Sequence, residues 1–287
     1  MVLWGSAFAL ISVSLRDFTP LQVVNARLWI GALVLLVLMK GRGQETPRDG
    51  QTWSYFFAMA VLGNALPFFL ISWGQQEVAS GVTGILMAIM PLIVLPLAHF
   101  LVPDEGMTVT RLIGFTLGFV GIVFLTGPEV LREFNGQGTA LWSQIAILSG
   151  AVCYAFNLII ARKAPRHEPL VTAAWVLVLS ACLSSVALWI DGDILPERPS
   201  LTPTIALLAL GVLSTGFATA VYFRVVTRAG ATFLSLINYL IPIFAVLVGA
   251  VFLGEHIPAR SLIALVIILA GVVISQRSKP ATRGADE

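Results

Sequence analysis

Charge is what this sequence has least of. Asp, Glu, Lys and Arg make up only 11% of its 287 residues, against 57% hydrophobic residues. Soluble domains carry roughly a quarter charged residues, so a single water-facing core is excluded and lipid is the expected solvent. The net charge of +2 is too small to attract nucleic acid, and no nucleic-acid partner is expected. Cysteine is equally sparse. Cys153 and Cys182 lie in apolar stretches without Cys-x-x-Cys or Cys/His spacing, which argues against a zinc site and a disulfide framework; no metal and no cofactor are expected.

Acidic residues are missing from the interior of every apolar stretch. All 15, from Asp17 to Glu287, fall in loops, tails or stretch ends. Ionisable groups inside a bilayer are expensive and functional, and a proton-driven exchanger of cationic drugs depends on a buried carboxylate. This absence points instead to a facilitator or exchanger of neutral or zwitterionic substrates. Catalytic signatures are absent too: there is no His-Glu-x-x-His, no Asp pair within a stretch, no Gly-x-Ser-x-Gly and no histidine placed to activate a serine. No catalytic residue is assigned and the chain is not expected to be an enzyme, an intramembrane enzyme being the distant alternative. Nor is there a basic segment ahead of the first apolar run, so a slightly truncated first span is expected rather than a cleaved signal peptide.

What the sequence does have is apolar stretches of membrane-crossing length, about 17 to 25 residues. Ten can be placed, at roughly 1–15, 20–39, 53–74, 78–101, 108–126, 140–162, 169–190, 203–226, 230–253 and 259–276. The fold class expected is an all-α integral membrane protein of ten transmembrane helices. A repeated sentence divides them. Ala79-Ser80-Gly81, Met90-Pro91 and Asp104-Glu105 recur as Ala229-Gly230-Ala231, Ile241-Pro242 and Gly254-Glu255. Leu62-Gly63 recurs as Leu210-Gly211, and Gly121-Ile122-Val123 as Gly271-Val272-Val273. With five spans in each half, the second half enters from the opposite side, so two inverted five-helix repeats are expected. Their bounds are 1–126 and 140–276, joined by a loop at 127–139 and followed by a disordered cytoplasmic tail at 277–287. Twelve Lys and Arg, among them Lys40, Arg111, Lys163, Arg228 and Arg277, fall on the side shared by both termini. Four, Arg16, Arg132, Arg198 and Arg260, fall on the other. Cytoplasmic loops hold the basic excess, so both termini are expected in the cytoplasm.

At these residues the chain resembles the drug/metabolite transporter superfamily, specifically its ten-span EamA family, and within it the amino-acid exporters of the YddG type. Asp104-Glu105 stands where the family usually has Gly-Glu. The resemblance implies a multi-pass protein of a bacterial-type cytoplasmic (inner) membrane that exports small metabolites by alternating access. Its cavity would be walled chiefly by spans 1, 3, 4, 6, 8 and 9, with the remaining spans as scaffold. Amino acids such as threonine, methionine or aromatic ones are the expected substrates; a multidrug or other-metabolite exporter is the alternative. A sugar-phosphate carrier should want several deep cationic groups, and only Arg27 qualifies. The expected partners are the small-molecule substrate and the lipid bilayer, with the chain acting as a monomer.

Polar uncharged residues fall on helical stripes inside those spans. The substrate-binding candidates are Trp4, Asn64, Ser72, Thr83, Met87, Tyr154, Asn157, Thr215, Thr219, Tyr222, Asn238 and Tyr239. They read as an amphipathic cavity, with hydroxyls and amides for an amino acid's polar end and Trp, Tyr and Met for its side chain. Hydrogen-bonded glue between helices is the alternative for each. Pro91 and Pro242 each remove an N–H within a span and are the candidate hinges. Gly114, Gly118 and Gly121 read as a close-packing scaffold face, with a dimer contact as the alternative. Arg27, about 10 Å into span 2, reads as snorkelling to the outer interface, with anion binding as the alternative. His99 reads as an interfacial histidine rather than a proton relay.

Overall fold

A computed structural model describes residues 1–102, 106–132, 139–194 and 198–276; the side chains of 128–132 and 222–238 lie outside that description. Among the described residues every regular element is a helix, without a strand. Eight helices are long and apolar enough to cross a bilayer: α2 (Pro20–Gly41), α3 (Gly50–Gly74), α4 (Ser80–Leu101), α5 (Val109–Gly127), α6 (Thr139–Lys163), α7 (Pro169–Asp191), α8 (Leu201–Val221) and α10 (Ala259–Gln276). The stretches expected as the first and ninth spans are the shorter apolar helices α1 (Val2–Ser14) and α9 (Tyr239–Phe252).

Two differences from the sequence reading have physical causes. Helical backbone continues past Gly127 to Arg132, into the expected inter-repeat loop, but Gly127 breaks its direction with φ 71°, a left-handed conformation natural only to glycine. Helical backbone also spans Ala218 to Phe252, across the expected boundary at 226–230, but it is not one straight helix. Adjacent Trp4 and Gly5 touch Ser214 and Phe244, which a straight helix would hold roughly 45 Å apart; the chain therefore folds back between them. The expected disordered tail lies outside the described residues.

Local chemistry starts several helices. Thr19 and Gln22 form a reciprocal capping box ahead of Pro20. Asp49 accepts from the Thr52 N–H at 2.7 Å to cap α3, and the Thr52 hydroxyl reaches His167 Nε2 at 2.7 Å. Within the spans, α4 is interrupted at Ala88-Ile89, between Ser80–Met87 and Met90–Leu101, just ahead of Pro91. Two spans widen into π-helix, at Val61–Ala65 in α3 and Leu210–Phe217 in α8. These are the sites of the repeated Leu62-Gly63 and Leu210-Gly211. In α3 the wider turn has a cause, since the Pro67 ring would clash with the Gly63 carbonyl four residues back in a regular α-helix.

Packing places small residues at the helix crossings. α2 lies along α7 and α5 along α10; α3 packs on α6, α4 on α6 and α9, and α1 on α8 and α9. The α5–α10 seam is made by glycine. A Cβ at Gly114 would stand 2.5 Å from the Gly271 carbonyl, and one at Gly121 2.7 Å from Ile268. Gly114 and Gly121 therefore form a close-packing face against α10. Gly118 packs instead on Leu92 of α4. Outward faces carry Leu33, Val37, Phe119, Trp189, Leu247 and Val266, all exposed, while Ser72, Thr83, Ser180, Ser184 and Thr215 are buried. Apolar outside and polar inside is the arrangement a lipid solvent demands.

Candidate functional site

Arg27 is the deepest charge in the molecule's described interior. Its side chain does not snorkel: the residue is only 5% exposed. Its guanidinium stacks on the Phe68 ring of α3 at 3.7 Å, and Nε donates to the Thr215 hydroxyl of α8 at 3.3 Å. Tyr154 of α6 lies within electrostatic reach. Thr215 itself donates to the Leu210 carbonyl five residues back at 3.0 Å, within the second π-helix. Four spans thus converge on one cation. Span 2, read from the sequence as scaffold, contributes the group at the centre. Among the described residues no carboxylate lies within 4.0 Å of it, and its Nη1 and Nη2 have no hydrogen-bond partner. Taking an ion out of water costs several kcal/mol, so an unpaired buried guanidinium marks a site that something else completes.

The sequence-selected residues fall around this point to different degrees. Tyr154 and Met87 are half-buried and pack together with Phe8, Ile11, Val23, Ile71 and Leu210 between α1, α2, α3 and α8. Trp4 is half-buried and donates from Nε1 to the Ser214 carbonyl at 3.0 Å, while the Ser214 hydroxyl donates to the Leu3 carbonyl at 2.8 Å, fastening α1 to α8. Thr219 donates to the Thr215 carbonyl at 2.6 Å. Asn157 of α6 lies against Gly63 of the first π-helix, so close that a Cβ on Gly63 would meet its Oδ1 at 2.7 Å; that Oδ1 is buried without a partner. Asn64 is half-buried beside it. Ser72 is fully buried with an unpartnered hydroxyl.

Other candidates are placed elsewhere. Thr83 is fully buried and donates to its own helix, at the Ala79 carbonyl. Tyr239 packs with the apolar cluster of Ile85, Leu92 and Ile268. Pro242 is buried in α9, where a Cβ on Gly84 would touch it, and Pro91 is half-buried at the α4 break. The side chains of Tyr222 and Asn238 lie outside the described residues. His99 accepts from the Met107 N–H at 3.2 Å, tying the end of α4 to the following loop as an interfacial histidine would.

The EamA-like transporter family model matches this chain in two segments, residues 1–127 and 141–276. The chain belongs to that family. Similar proteins include the Uncharacterized transporter YoaV of Bacillus subtilis (strain 168), 25% identical over 275 residues that cover 96% of this chain and 93% of that one. The Uncharacterized inner membrane transporter YedA of Escherichia coli (strain K12) is 23% identical over 278 residues, covering 95% of this chain and 87% of that one. A solved crystal structure, 20% identical, superposes with a TM-score of 0.67 over 95% of this chain and 92% of its own; it supports the fold alone. The chain is a multi-pass membrane protein of a transporter family.

In this EamA-family member the repeated sequence phrases also meet in space. The Glu255 carboxylate accepts from the Ser80 N–H at 2.7 Å and the Gly81 N–H at 2.9 Å, capping α4 from the loop after α9. A carboxylate at a helix N-terminus is favourable because it satisfies orphan N–H groups and faces the positive end of the helix dipole. Gly249 and Gly81 leave room for it, and Gly254, with φ 66°, turns the chain back. Ala79-Ser80-Gly81 and Gly254-Glu255 are therefore two halves of one latch. Spacing alone had set them in parallel rather than in contact. The first-half counterpart, Asp104-Glu105, lies outside the described residues.

Proposed function

We propose that this protein exports small metabolites, amino acids such as threonine, methionine and aromatic ones first among them, as a facilitator or exchanger in a bacterial-type cytoplasmic membrane. One observation carries the reading: in a member of a transporter family, polar, aromatic and thioether side chains from five spans, Arg27, Phe68, Met87, Tyr154 and Thr215, gather in the interior. The eight long helices with α1 and α9 then make ten crossings, arranged as two inverted five-helix repeats at 1–126 and 140–276. Support comes from the two family-matched segments and from π-helices recurring at Leu62-Gly63 and Leu210-Gly211.

Loop contacts support the alternation of crossings. Asp17, between α1 and α2, accepts from the Ser200 N–H at 2.6 Å, between α7 and α8; Asp49 and His167, before α3 and before α7, approach at 4.0 Å. Odd loops meet odd loops and even meet even, as up-and-down crossings require. With the basic excess on the even side, both termini are cytoplasmic. Alternating access would rock the repeats about the Arg27 level, opening the outer side by parting Glu255 from α4 and bending at the Pro91 break. Transport needs no proton gradient, since no carboxylate lies inside a span.

Uptake of labelled threonine, methionine and phenylalanine into proteoliposomes, with and without an imposed pH gradient, tests this. Uptake above empty liposomes and independent of the gradient is expected. Absence of uptake for all three defeats the amino-acid assignment, and dependence on the gradient defeats the facilitator.

A further inference from the structure

We infer that Arg27 is the substrate's carboxylate-binding group, so that the protein selects small organic monocarboxylates and does not require their amino group. The inference rests on the proposed transport function and deepens it.

Three observations lead to it. First, Arg27 is nine-tenths buried, yet its protein partners use only part of it: Phe68 covers one face of the guanidinium and Thr215 takes Nε. The Nη pair remains, and two parallel N–H groups on a rigid plane are the arrangement that receives a carboxylate bidentately. Second, the surroundings are apolar and aromatic: the Phe68 ring covers the guanidinium, Tyr154 lies within electrostatic reach, and Tyr154 belongs to an apolar cluster with Met87, Ile71 and Leu210. A carboxylate arriving there loses its water and is attracted more strongly than at a surface. Third, the opposite sign is missing. An amino acid's ammonium would find no aspartate or glutamate, because all 15 acidic residues lie at loops, tails or span ends. Among the described residues the buried acceptors without a partner are all neutral, Ser72 Oγ and Asn157 Oδ1 among them. One end of a zwitterion is matched by full charge and the other by dipoles at most. The site therefore reads the carboxylate, and 2-hydroxy and 2-oxo acids with apolar side chains are substrates alongside the amino acids.

The test compares four compounds of one skeleton against labelled phenylalanine in proteoliposome counterflow: phenylalanine, phenyllactate, phenylpyruvate and phenylalaninamide. The two acids without an ammonium should compete within about threefold of phenylalanine, and the amide, lacking the carboxylate, should compete at least ~10-fold more weakly. Arg27→Gln should remove competition by the acids, with Arg27→Lys recovering part of it. An amide that competes as well as the acid overturns the inference, as does Arg27→Gln leaving the acid-to-amide ratio unchanged. The wild-type ratio stands by itself if a variant does not fold. If no amino acid is transported at all, the transport reading fails separately. In that case a rise in the thermal midpoint of the purified chain with phenyllactate, absent in Arg27→Gln, still supports carboxylate binding, and no rise in the wild type overturns it.

Discussion

The α5–α10 seam and the surroundings of Arg27 both join a helix from one family-matched segment to helices of the other, and they do it by opposite means. At the seam, Gly114 and Gly271 bring two backbones together, and the Ser275 hydroxyl is spent on the Val272 carbonyl at 2.7 Å. Close approach of glycine backbones is what membrane packing favours. Around Arg27 the spans are instead held by a guanidinium, an aromatic face and a threonine whose hydroxyl serves two partners. Donors are left over. A region built only for stability would not bury a cation and leave its amino groups unpaired; the contrast separates what holds the fold from what the fold holds ready.

The seam should break first and most severely. Gly114→Leu drives a side chain into the Gly271 carbonyl and the Ser275 backbone, neither of which can swing away; overpacking of this kind costs about 1–3 kcal/mol or more. The expected outcome is a large loss of folded protein in thermal melts and gel filtration, with transport per folded molecule retained. Thr215→Val should do the reverse. It strands Arg27 Nε, a cost of about 1–2 kcal/mol, so the melting midpoint should move little while uptake falls several-fold, with Thr215→Ser restoring most of it. Equal losses of uptake and stability in both variants would erase the distinction.

The smallest expected effect lies outside both regions. With no carboxylate at either among the described residues, the acid dependence of stability should come from the loop caps. The Thr52 backbone N–H holds the Asp49 carboxyl below its ordinary 3.8, and the Ser200 hydroxyl does the same for Asp17. Carboxyls depressed in the folded state contribute stability above about pH 4 and lose it as pH falls through their lower folded values. The melting midpoint should therefore drop modestly below about pH 4, and Asp17→Asn with Asp49→Asn should flatten the drop. An unchanged slope in the double variant would place the acid sensitivity elsewhere.

Much of this was legible in the order of residues. Scarce charge and long apolar runs required a helical membrane protein, because backbone groups in lipid must pair within their own segment. Repeated phrases at Gly121 and Gly271 marked the seam, since only glycine permits such an approach. The stripes led to Tyr154, Met87 and Thr215. They did not lead to their centre. Arg27 sits alone in an apolar helix, and in one dimension a lone arginine near a span end looks like one reaching for the interface.

The sequence by itself therefore determined the solvent, the helices, the two related halves and the lack of acidic residues within the apolar stretches, because composition and periodicity act locally along the chain. Only the tertiary structure decided that Arg27 turns inward onto Phe68 and Thr215, and that Glu255 closes on Ser80 and Gly81 rather than merely resembling a distant pair. Those choices depend on which helices become neighbours. The direction of a long side chain is settled by the partners that packing brings within a few ångströms of it.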